Sequence, residues 1–264
     1  MKKITTDEPV AVNAGDGFVE GNAKGEGHSA VRTGKGDVEG GNSSAIRTYV
    51  GDAKGGNYSA VLTAEGDAEG GDSSAIRTHE GDAKSGDNSA VRTHVGNAKG
   101  GDYSAVLTAE GDAEGGDNSA IRTYEGNAKG GDSSAVRTGV GNAEGGGYSA
   151  VLTADGDAEG GDSSAIRTHV GNAKGGDYSA VRTYEGDAEG GNSSAVLGTR
   201  CKIGDNSVGL CIDNSGNPTE IVVSCEKTVP ITYGNQSSNW CEDDATEEAI
   251  KLLKANGYRV VKDD

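Results

Sequence analysis

Apolar side chains recur along residues 21–200 in a unit of fifteen residues. The chain divides there into twelve blocks of equal length, and residues 66–80, for example, read GDAEGGDSSAIRTHE. A fixed period of this kind indicates units that cannot bury their apolar face alone and that stack on their neighbours. We therefore predict an all-β protein, a parallel β-solenoid with fifteen residues per coil and twelve coils.

Each block carries a strand-like segment that reads Ser-Ala-Val/Ile-Arg/Leu-Thr in nearly every coil. Successive side chains of a strand point to opposite faces, so Ser, Val/Ile and Thr share one face while Ala and Arg/Leu share the other. A column of unpaired charges is too costly for a narrow interior. The Arg positions are Arg32, Arg47, Arg77, Arg92, Arg122, Arg137, Arg167 and Arg182. The sequence thus predicts that Ser, Val/Ile and Thr point inward, with their hydroxyls bonded to neighbouring coils.

Two glycine-rich segments in each block predict the corners of the coil. They read Gly-Asp/Asn-Ala and Gly-Gly-Asp/Asn in most blocks. Gly accepts a positive φ, and an Asp or Asn side chain bonds to backbone within a turn. The Ala that follows the first corner is expected to fill the inner wall opposite the Val/Ile column.

A second period, of 45 residues, runs along the predicted outer surface. At three of the positions where Leu replaces Arg, a Tyr precedes the Leu by four residues. These candidate binding residues are Tyr58 with Leu62, Tyr103 with Leu107, and Tyr148 with Leu152. Recent duplication of a three-coil unit explains the spacing without a function. The functional alternative is that the spacing forms a regular surface for a ligand, a partner or an identical chain.

Composition and charge limit the kinds of fold and of binding partner that this chain can have. Only 33% of the 264 residues are hydrophobic and 46 are Gly, so an ordinary globular core is excluded. The formal net charge of −18 disfavours nonspecific binding to nucleic acid or to an anionic membrane. We expect no nucleic-acid partner and no membrane insertion. The N-terminal segment, MKKITTDEPVAVNAGDG, has no apolar stretch of the length that a secretory signal needs.

No catalytic constellation emerges from the repeats, and we predict neither an enzyme nor a cofactor. His79, His94 and His169 occupy equivalent positions that other coils fill with Tyr, Ala or Gly, which indicates solvated surface residues. The corner acids raise the alternative of a calcium-stabilised extracellular solenoid. The regular Ser-x-Val-x-Thr rank raises a second alternative, an ice-binding solenoid, but that rank is predicted to lie inside.

Residues 201–264 are free of the repeat and are predicted to form a small α+β C-terminal cap, while residues 1–20 form an N-terminal cap or attachment segment. Apolar stretches at 208–212 and 220–224 flank a turn and predict a hairpin. A capping box at Asp244 and Glu247 predicts a helix that ends at Gly257, before a strand at 258–261.

The C-terminal module holds the cysteines and two aromatic candidates for recognition. Four cysteines fit either two disulfides or buried thiols; they are Cys201, Cys211, Cys225 and Cys241. Tyr233 and Trp240 are candidate anchors if the module recognises a receptor instead of only covering the end of the solenoid.

The run Asp72-Ser73-Ser74-Ala75-Ile76, followed by a Gly-rich turn, resembles the head repeats of trimeric autotransporter adhesins, and similar repeats occur in bacteriophage tail fibres. The resemblance covers residues 21–200. It implies a parallel β-roll in which three chains pack side by side and which attaches to a host-cell surface glycan or protein. We therefore expect an extracellular or virion-associated structural attachment protein, a tail-fibre or adhesin component that forms a homo-oligomer.

Overall fold

The computed structural model describes residues 4–5, 10–11, 18–213, 217–224, 228–233, 236–241 and 259–260. Side chains are described for residues 21–213, 217–219, 222 and 224. The described part is all-β, without a helix, and forms a β-solenoid of about 13 turns with ~15 residues per turn. This confirms the predicted fold class. The chain comprises two compact units, Met1–Gly139 and Val140–Asp264, which are taken in turn.

Each unit contains two sheets whose repeated strands are parallel, with strands numbered in chain order. The front sheet is built from the Ala-Val/Ile-Arg/Leu segments and the back sheet from the Ala-Lys/Glu segments that follow the first corner. In unit Met1–Gly139 the front sheet consists of β1 (Ile4–Thr5), β3 (Phe18–Glu20), β5 (Ala30–Lys35), β7 (Ala45–Arg47), β9 (Ala60–Leu62), β11 (Ala75–Arg77), β13 (Ala90–Arg92), β15 (Ala105–Leu107), β17 (Ala120–Arg122) and β19 (Ala135–Arg137). The back sheet of this unit consists of β2 (Val10–Ala11), β4 (Ala23–Lys24), β6 (Val38–Glu39), β8 (Ala53–Lys54), β10 (Ala68–Glu69), β12 (Ala83–Lys84), β14 (Ala98–Lys99), β16 (Ala113–Glu114) and β18 (Ala128–Lys129).

Unit Val140–Asp264 repeats this arrangement and adds a third sheet. Its front sheet consists of β21 (Ala150–Leu152), β23 (Ala165–Arg167), β25 (Ala180–Arg182), β27 (Ala195–Gly198), β29 (Ser207–Ile212) and β30 (Pro218–Ser224). Its back sheet consists of β20 (Ala143–Glu144), β22 (Ala158–Glu159), β24 (Ala173–Lys174), β26 (Asp187–Glu189) and β28 (Arg200–Lys202). Its third, antiparallel sheet consists of β31 (Thr228–Tyr233), β32 (Gln236–Cys241) and β33 (Arg259–Val260).

Strands of successive coils pair in register, so that equivalent residues form columns. In the front sheet Ile76 is paired with Val91 and Arg77 with Arg92, and in the back sheet Glu69 is paired with Lys84. Because the period of the sequence equals the length of the coil, each residue type stacks on its own copy in the next coil.

The interior consists of the predicted columns. Ile76 and Val91 of the front sheet are 3% and 2% exposed, and Ala83 on the opposite wall is 1% exposed. The Ser and Thr columns that flank the Val/Ile column are buried as well, whereas Arg77 is exposed. The predicted direction of the coil is therefore confirmed.

Backbone groups satisfy the buried hydroxyls. Ser74 Oγ accepts the backbone N–H of Ser59 at 3.2 Å and donates to the carbonyl oxygen of Gly56 at 3.3 Å. Thr78 Oγ1 donates to the carbonyl oxygen of Gly66 at 3.1 Å. Since an unsatisfied buried hydroxyl destabilises a core, these bonds are what makes a Ser/Thr-rich interior tolerable.

One corner contains the Gly that opens each block, and we call it the glycine corner. Gly66 and Gly81 have φ values of +130° and +133° there. The Asp that follows this Gly accepts a backbone N–H from the next coil: Asp67 Oδ1 accepts that of Asp82 at 2.9 Å. Only one side-chain oxygen is used, which explains why Asn97 can replace Asp in the same ladder.

The other corner is called the display corner, because its variable side chain faces solvent. Its backbone takes a positive φ at a non-Gly residue in every coil: Tyr58, Ser73 and Asn88 have φ values of 58°, 56° and 55°. The Asp or Asn before this residue forms a second ladder, in which Asp72 Oδ1 accepts the N–H of Asp87 at 3.1 Å. Both predicted corners are present, although the positive φ of the second does not fall on a Gly.

The solenoid continues past residue 200 into a shorter turn. Strand β28 pairs in parallel with β26, and β29 with β27, at an offset of thirteen residues, as in Ala188 with Cys201 and Ala195 with Val208. Strand β29 then pairs antiparallel with β30, and this confirms the predicted hairpin. The predicted helix from Asp244 to Gly257 lies outside the described residues, and the strand predicted at 258–261 corresponds to β33.

Candidate binding surface

The outer face of the front sheet carries two columns, one of Ala and one of Arg or Leu. In unit Met1–Gly139 the Ala side chains are exposed and form the floor of a groove of about 960 Å³ that runs along the sheet. Its lining extends from Ala30 to Leu107 and includes Arg77 and Arg92. The volume is that of an ordinary ligand cleft. An equivalent groove of about 480 Å³ lies on the front sheet of unit Val140–Asp264.

The second of these columns, the Arg/Leu column, follows a rule of two Arg and one Leu. In unit Met1–Gly139 it consists of Arg32, Arg47, Leu62, Arg77, Arg92, Leu107, Arg122 and Arg137. The two Arg of a pair are register partners, as in Arg77 with Arg92 and Arg122 with Arg137. All six guanidinium groups are exposed, and the two Leu side chains are half-buried.

The structure separates the predicted Tyr–Leu pairs. Leu62 and Leu107 line the groove of unit Met1–Gly139, whereas Tyr58 and Tyr103 stand at the display corner, 69% and 64% exposed, and do not line it. In unit Val140–Asp264 Leu152 lines the smaller groove, and Tyr148, 74% exposed, does not. Each of these Tyr residues has a positive φ and lies in the turn before the strand that carries the Leu.

The two aromatic candidates of the C-terminal module lie in the third sheet. Tyr233 is paired with Gln236 and Trp240 with Val229, both between β31 and β32. The side chains of Tyr233 and Trp240 are outside the described ones, so their role as anchors stays a prediction.

The outer face of the back sheet carries a column of Lys and Glu that pair between coils. In unit Met1–Gly139 the Nζ atoms of Lys54 and Lys99 lie 3.0 Å and 2.9 Å from carboxylate oxygens of Glu69 and Glu114. These exposed pairs stabilise the fold little, but each neutralises the charge of its own Lys. Sequence reasoning noticed the interleaved charges without the ion pairs, which follow once the coil length is known.

Unit Val140–Asp264 shows the same pairing. Lys174 Nζ donates to Glu159 Oε1 at 3.0 Å, and this hydrogen bond raises the pKa of Lys174 above its ordinary value. Arg200 forms a two-point contact with Asp187 through Nε at 2.8 Å and Nη2 at 2.6 Å, which likewise raises the pKa of Arg200.

Three of the four histidines stand on the outer surface and stack on rings of adjacent coils. The rings of His79 and His94 are 4.9 Å apart and nearly parallel, and His169 stacks on Tyr184 at 5.5 Å. Within the described part of the chain, no group of three or more His, Cys, Asp or Glu is arranged to hold a metal ion.

The structure places two of the four cysteines inside the thirteenth turn. Cys201 takes the position of the inner Ala and is half-buried, and Cys211, in register with Gly198, has a buried free thiol. The side chains of Cys225 and Cys241 lie outside the described ones. The free thiol of Cys211 agrees with the buried-thiol alternative at that position, and whether the other cysteines form a disulfide stays a prediction.

Sequence reasoning missed an apolar group at the end of the front sheet in unit Val140–Asp264. Leu197, Val208 and Leu210 line the smaller groove together. The segment Ser207-Val208-Gly209-Leu210 has the spacing of the repeated Ser-Ala-Val-Leu, but an offset of thirteen residues hides it from a search at fifteen.

Within the described residues there is no helix with the length and apolar character that crossing a bilayer requires. Comparison with protein-family models, with curated proteins and with solved structures finds no match for this chain.

Proposed function

We propose that this chain is a non-enzymatic structural and attachment protein, a component of a phage tail fibre or of a cell-surface adhesin that works outside the cell or on a virion. A β-solenoid is compatible with a structural rod. The adhesin and tail-fibre assignment rests on the resemblance of the repeat. Its partner in this proposal is a host-surface glycan or protein, and the chain works as a homo-oligomer, with a trimer favoured.

One observation carries the non-enzymatic part of the proposal: the inner hydroxyls, the corner Asp side chains and the paired Lys and Glu side chains hold neighbouring coils together. Ser74 and Thr78 bond to backbone inside, Asp67 and Asp72 bond to backbone at the corners, and Lys54 pairs with Glu69 outside. Groups held in this way are not poised to act as nucleophiles or general bases.

The same geometry disfavours the two alternative solenoid functions. An ice-binding face needs an outward rank of Thr, and Thr78 and Thr93 are each 3% exposed. Calcium at the corners needs carboxylate oxygens that are free to coordinate. Here Asp67 and Asp82 each use one oxygen for a backbone N–H, and Asn97, which has no carboxylate, fills the same role in the ladder, so the corner does not require the negative charge that a calcium site needs.

Attachment is tested with the full chain, fluorescently labelled, on panels of bacterial and animal cells. Saturable binding that is competed by unlabelled chain, and removed by oxidation of surface glycans or by protease, is the expected result. The heat-unfolded chain is the matched control, since it has the same composition and charge. The proposal would be contradicted if the chain bound in a saturable manner to none of the surfaces in the panel.

The oligomer is tested by sedimentation of the same full chain. A trimer mass is the expected result, and a monomer at all concentrations would remove the side-by-side assembly from the proposal.

A further inference from the structure

The two outer faces of the same coils treat their charges differently. On the back sheet, Lys54 and Lys99 are neutralised by Glu side chains of the next coil. On the front sheet, among the described residues of unit Met1–Gly139, no carboxylate forms an ion pair with Arg77, Arg92 or any other Arg of the Arg/Leu column. Positive charge is thus left uncompensated on one face of a chain whose net charge is −18.

The stacking of these Arg residues is unfavourable in the chain alone. Arg77 and Arg92 are register partners on adjacent parallel strands, which places their α-carbons about 4.8 Å apart. Like charges directly opposite each other on neighbouring strands are destabilising. An anion between the two guanidinium groups removes this repulsion and accepts hydrogen bonds from both.

The apolar residues of the groove give the second half of the pattern. Leu62 and Leu107 separate the Arg pairs, so that pairs recur at about 14 Å, three strand spacings along the groove. The exposed Ala side chains form a smooth floor beside them. A ligand that fits this surface carries anionic groups at intervals along one chain, with apolar faces between them.

We infer that the front-sheet groove of unit Met1–Gly139 binds a linear acidic polysaccharide through its carboxylates, with the Arg pairs as anion sites and the Leu and Ala side chains as the apolar bed. The inference rests on the proposed attachment function and names the chemistry of its ligand. Successive Arg pairs act together, so that affinity rises with the length of the polysaccharide.

An acidic peptide fits this face less well. The backbone groups of the coils already bond to the coils above and below, as in Thr78 N–H to Arg92 O at 3.0 Å. An extended peptide on the sheet face would therefore gain none of the main-chain hydrogen bonds that strand addition supplies. A sugar chain contributes its own hydroxyls and needs none of them.

A wide polyanion such as duplex nucleic acid is opposed by the neighbouring acids. Three residues after the Arg/Leu column, the chain carries exposed Glu65, Glu80, Glu110 and Glu125. At physiological salt, charges interact over about 8 Å. A narrow chain confined to the groove meets mainly the Arg pairs, whereas a wide one also meets the acid column.

Binding is measured by titration calorimetry of the full chain with oligogalacturonates of graded length, and with neutral malto-oligosaccharides of the same lengths. The variant R77Q/R92Q removes one of the two Arg pairs that line the groove. The variant K84Q/K99Q is the matched control, because it removes two positive charges from adjacent coils of the back sheet. The variant R77K/R92K keeps the charge without the two-point hydrogen bonding of Arg.

We expect length-dependent binding of the oligogalacturonates and none of the neutral sugars. R77Q/R92Q should weaken binding by about tenfold or more, since two charge-assisted contacts are lost, while K84Q/K99Q should change it by less than about twofold. R77K/R92K should fall between them. Circular dichroism checks that each variant is folded, and R32Q/R47Q repeats the test at the other Arg pair of the groove if the first unfolds.

Three results would overturn the inference: equal losses in R77Q/R92Q and K84Q/K99Q, stronger binding of poly-L-glutamate or oligodeoxythymidylate than of the oligogalacturonates, or no oligogalacturonate binding. Each leaves the attachment function standing if the full chain still binds cells in a saturable manner. Conversely, oligogalacturonate binding without attachment to any cell would contradict the attachment function and support the groove.

Discussion

The two corners of each coil both turn the backbone through a positive φ, yet one always holds Gly and the other holds Tyr, Ser, Asn or His. A Cβ added at Gly81 of the glycine corner would stand 2.6 Å from the carbonyl carbon of Gly66 in the coil before, and closer still to its oxygen. At the display corner the side chain of Tyr103 points to solvent, 64% exposed. Close approach between coils, and not φ alone, therefore makes Gly obligatory at one corner.

The largest effect is expected from Gly81→Ala. The methyl group collides with the backbone of the preceding coil, and φ at +133° is unfavourable for Ala. The free energy of unfolding should fall by about 3 kcal/mol, as measured by urea denaturation. A loss below that of an ordinary surface substitution would show that the coils can separate at this corner without cost.

An intermediate effect is expected from Asp82→Ala, beside the same glycine corner. It removes the oxygen that accepts the Asn97 N–H at 2.8 Å, and the free energy of unfolding should fall by about 1 kcal/mol. Asp82→Asn retains the acceptor and should leave stability nearly unchanged in the same urea titration. An equal loss in both variants would assign the effect to the carboxylate charge instead of the hydrogen bond.

The smallest effect, and of opposite sign, is expected from Tyr103→Gly at the display corner. The φ of Tyr103 is 56°, a region that costs a non-Gly residue energy, and relief of that cost exceeds the entropy lost by Gly. Stability should rise by roughly 0.5 kcal/mol. Tyr103→Ala, which removes the ring but keeps the strained backbone, is the control and should show no gain.

Two facts were enough to predict from the sequence which side chains point into the coil: successive side chains of a strand point to opposite faces, and a buried unpaired charge is costly. Ile76 had to lie inside because Arg77 could not, and the same reasoning placed Ser74 and Thr78 on the inner face. The period then fixed the register of the strand pairs within residues 21–200, since identical residues of adjacent coils superpose at an offset of one block.

Three features escaped the sequence, each for a physical reason. The positive φ of Ser73 and Asn88 was hidden because the residue type varies where the side chain meets only solvent. The shorter thirteenth turn was hidden by its offset at Cys201. The groove could not be derived from the Tyr58–Leu62 spacing, because Tyr58 lies in a turn with a positive φ and does not line the groove that Leu62 lines.

Because the coils stack in register at a constant offset, the number of coils can change while the packing between adjacent coils is kept. Removal of one whole coil would rejoin equivalent residues, such as Gly66 and Gly81, and leave the interior columns unbroken, but it would shift every later Leu against the Arg pairs before it. Removal of three coils restores that phase as well. Duplication or loss of a three-coil unit can therefore lengthen or shorten the protein while the order of groups along its outer surface is preserved.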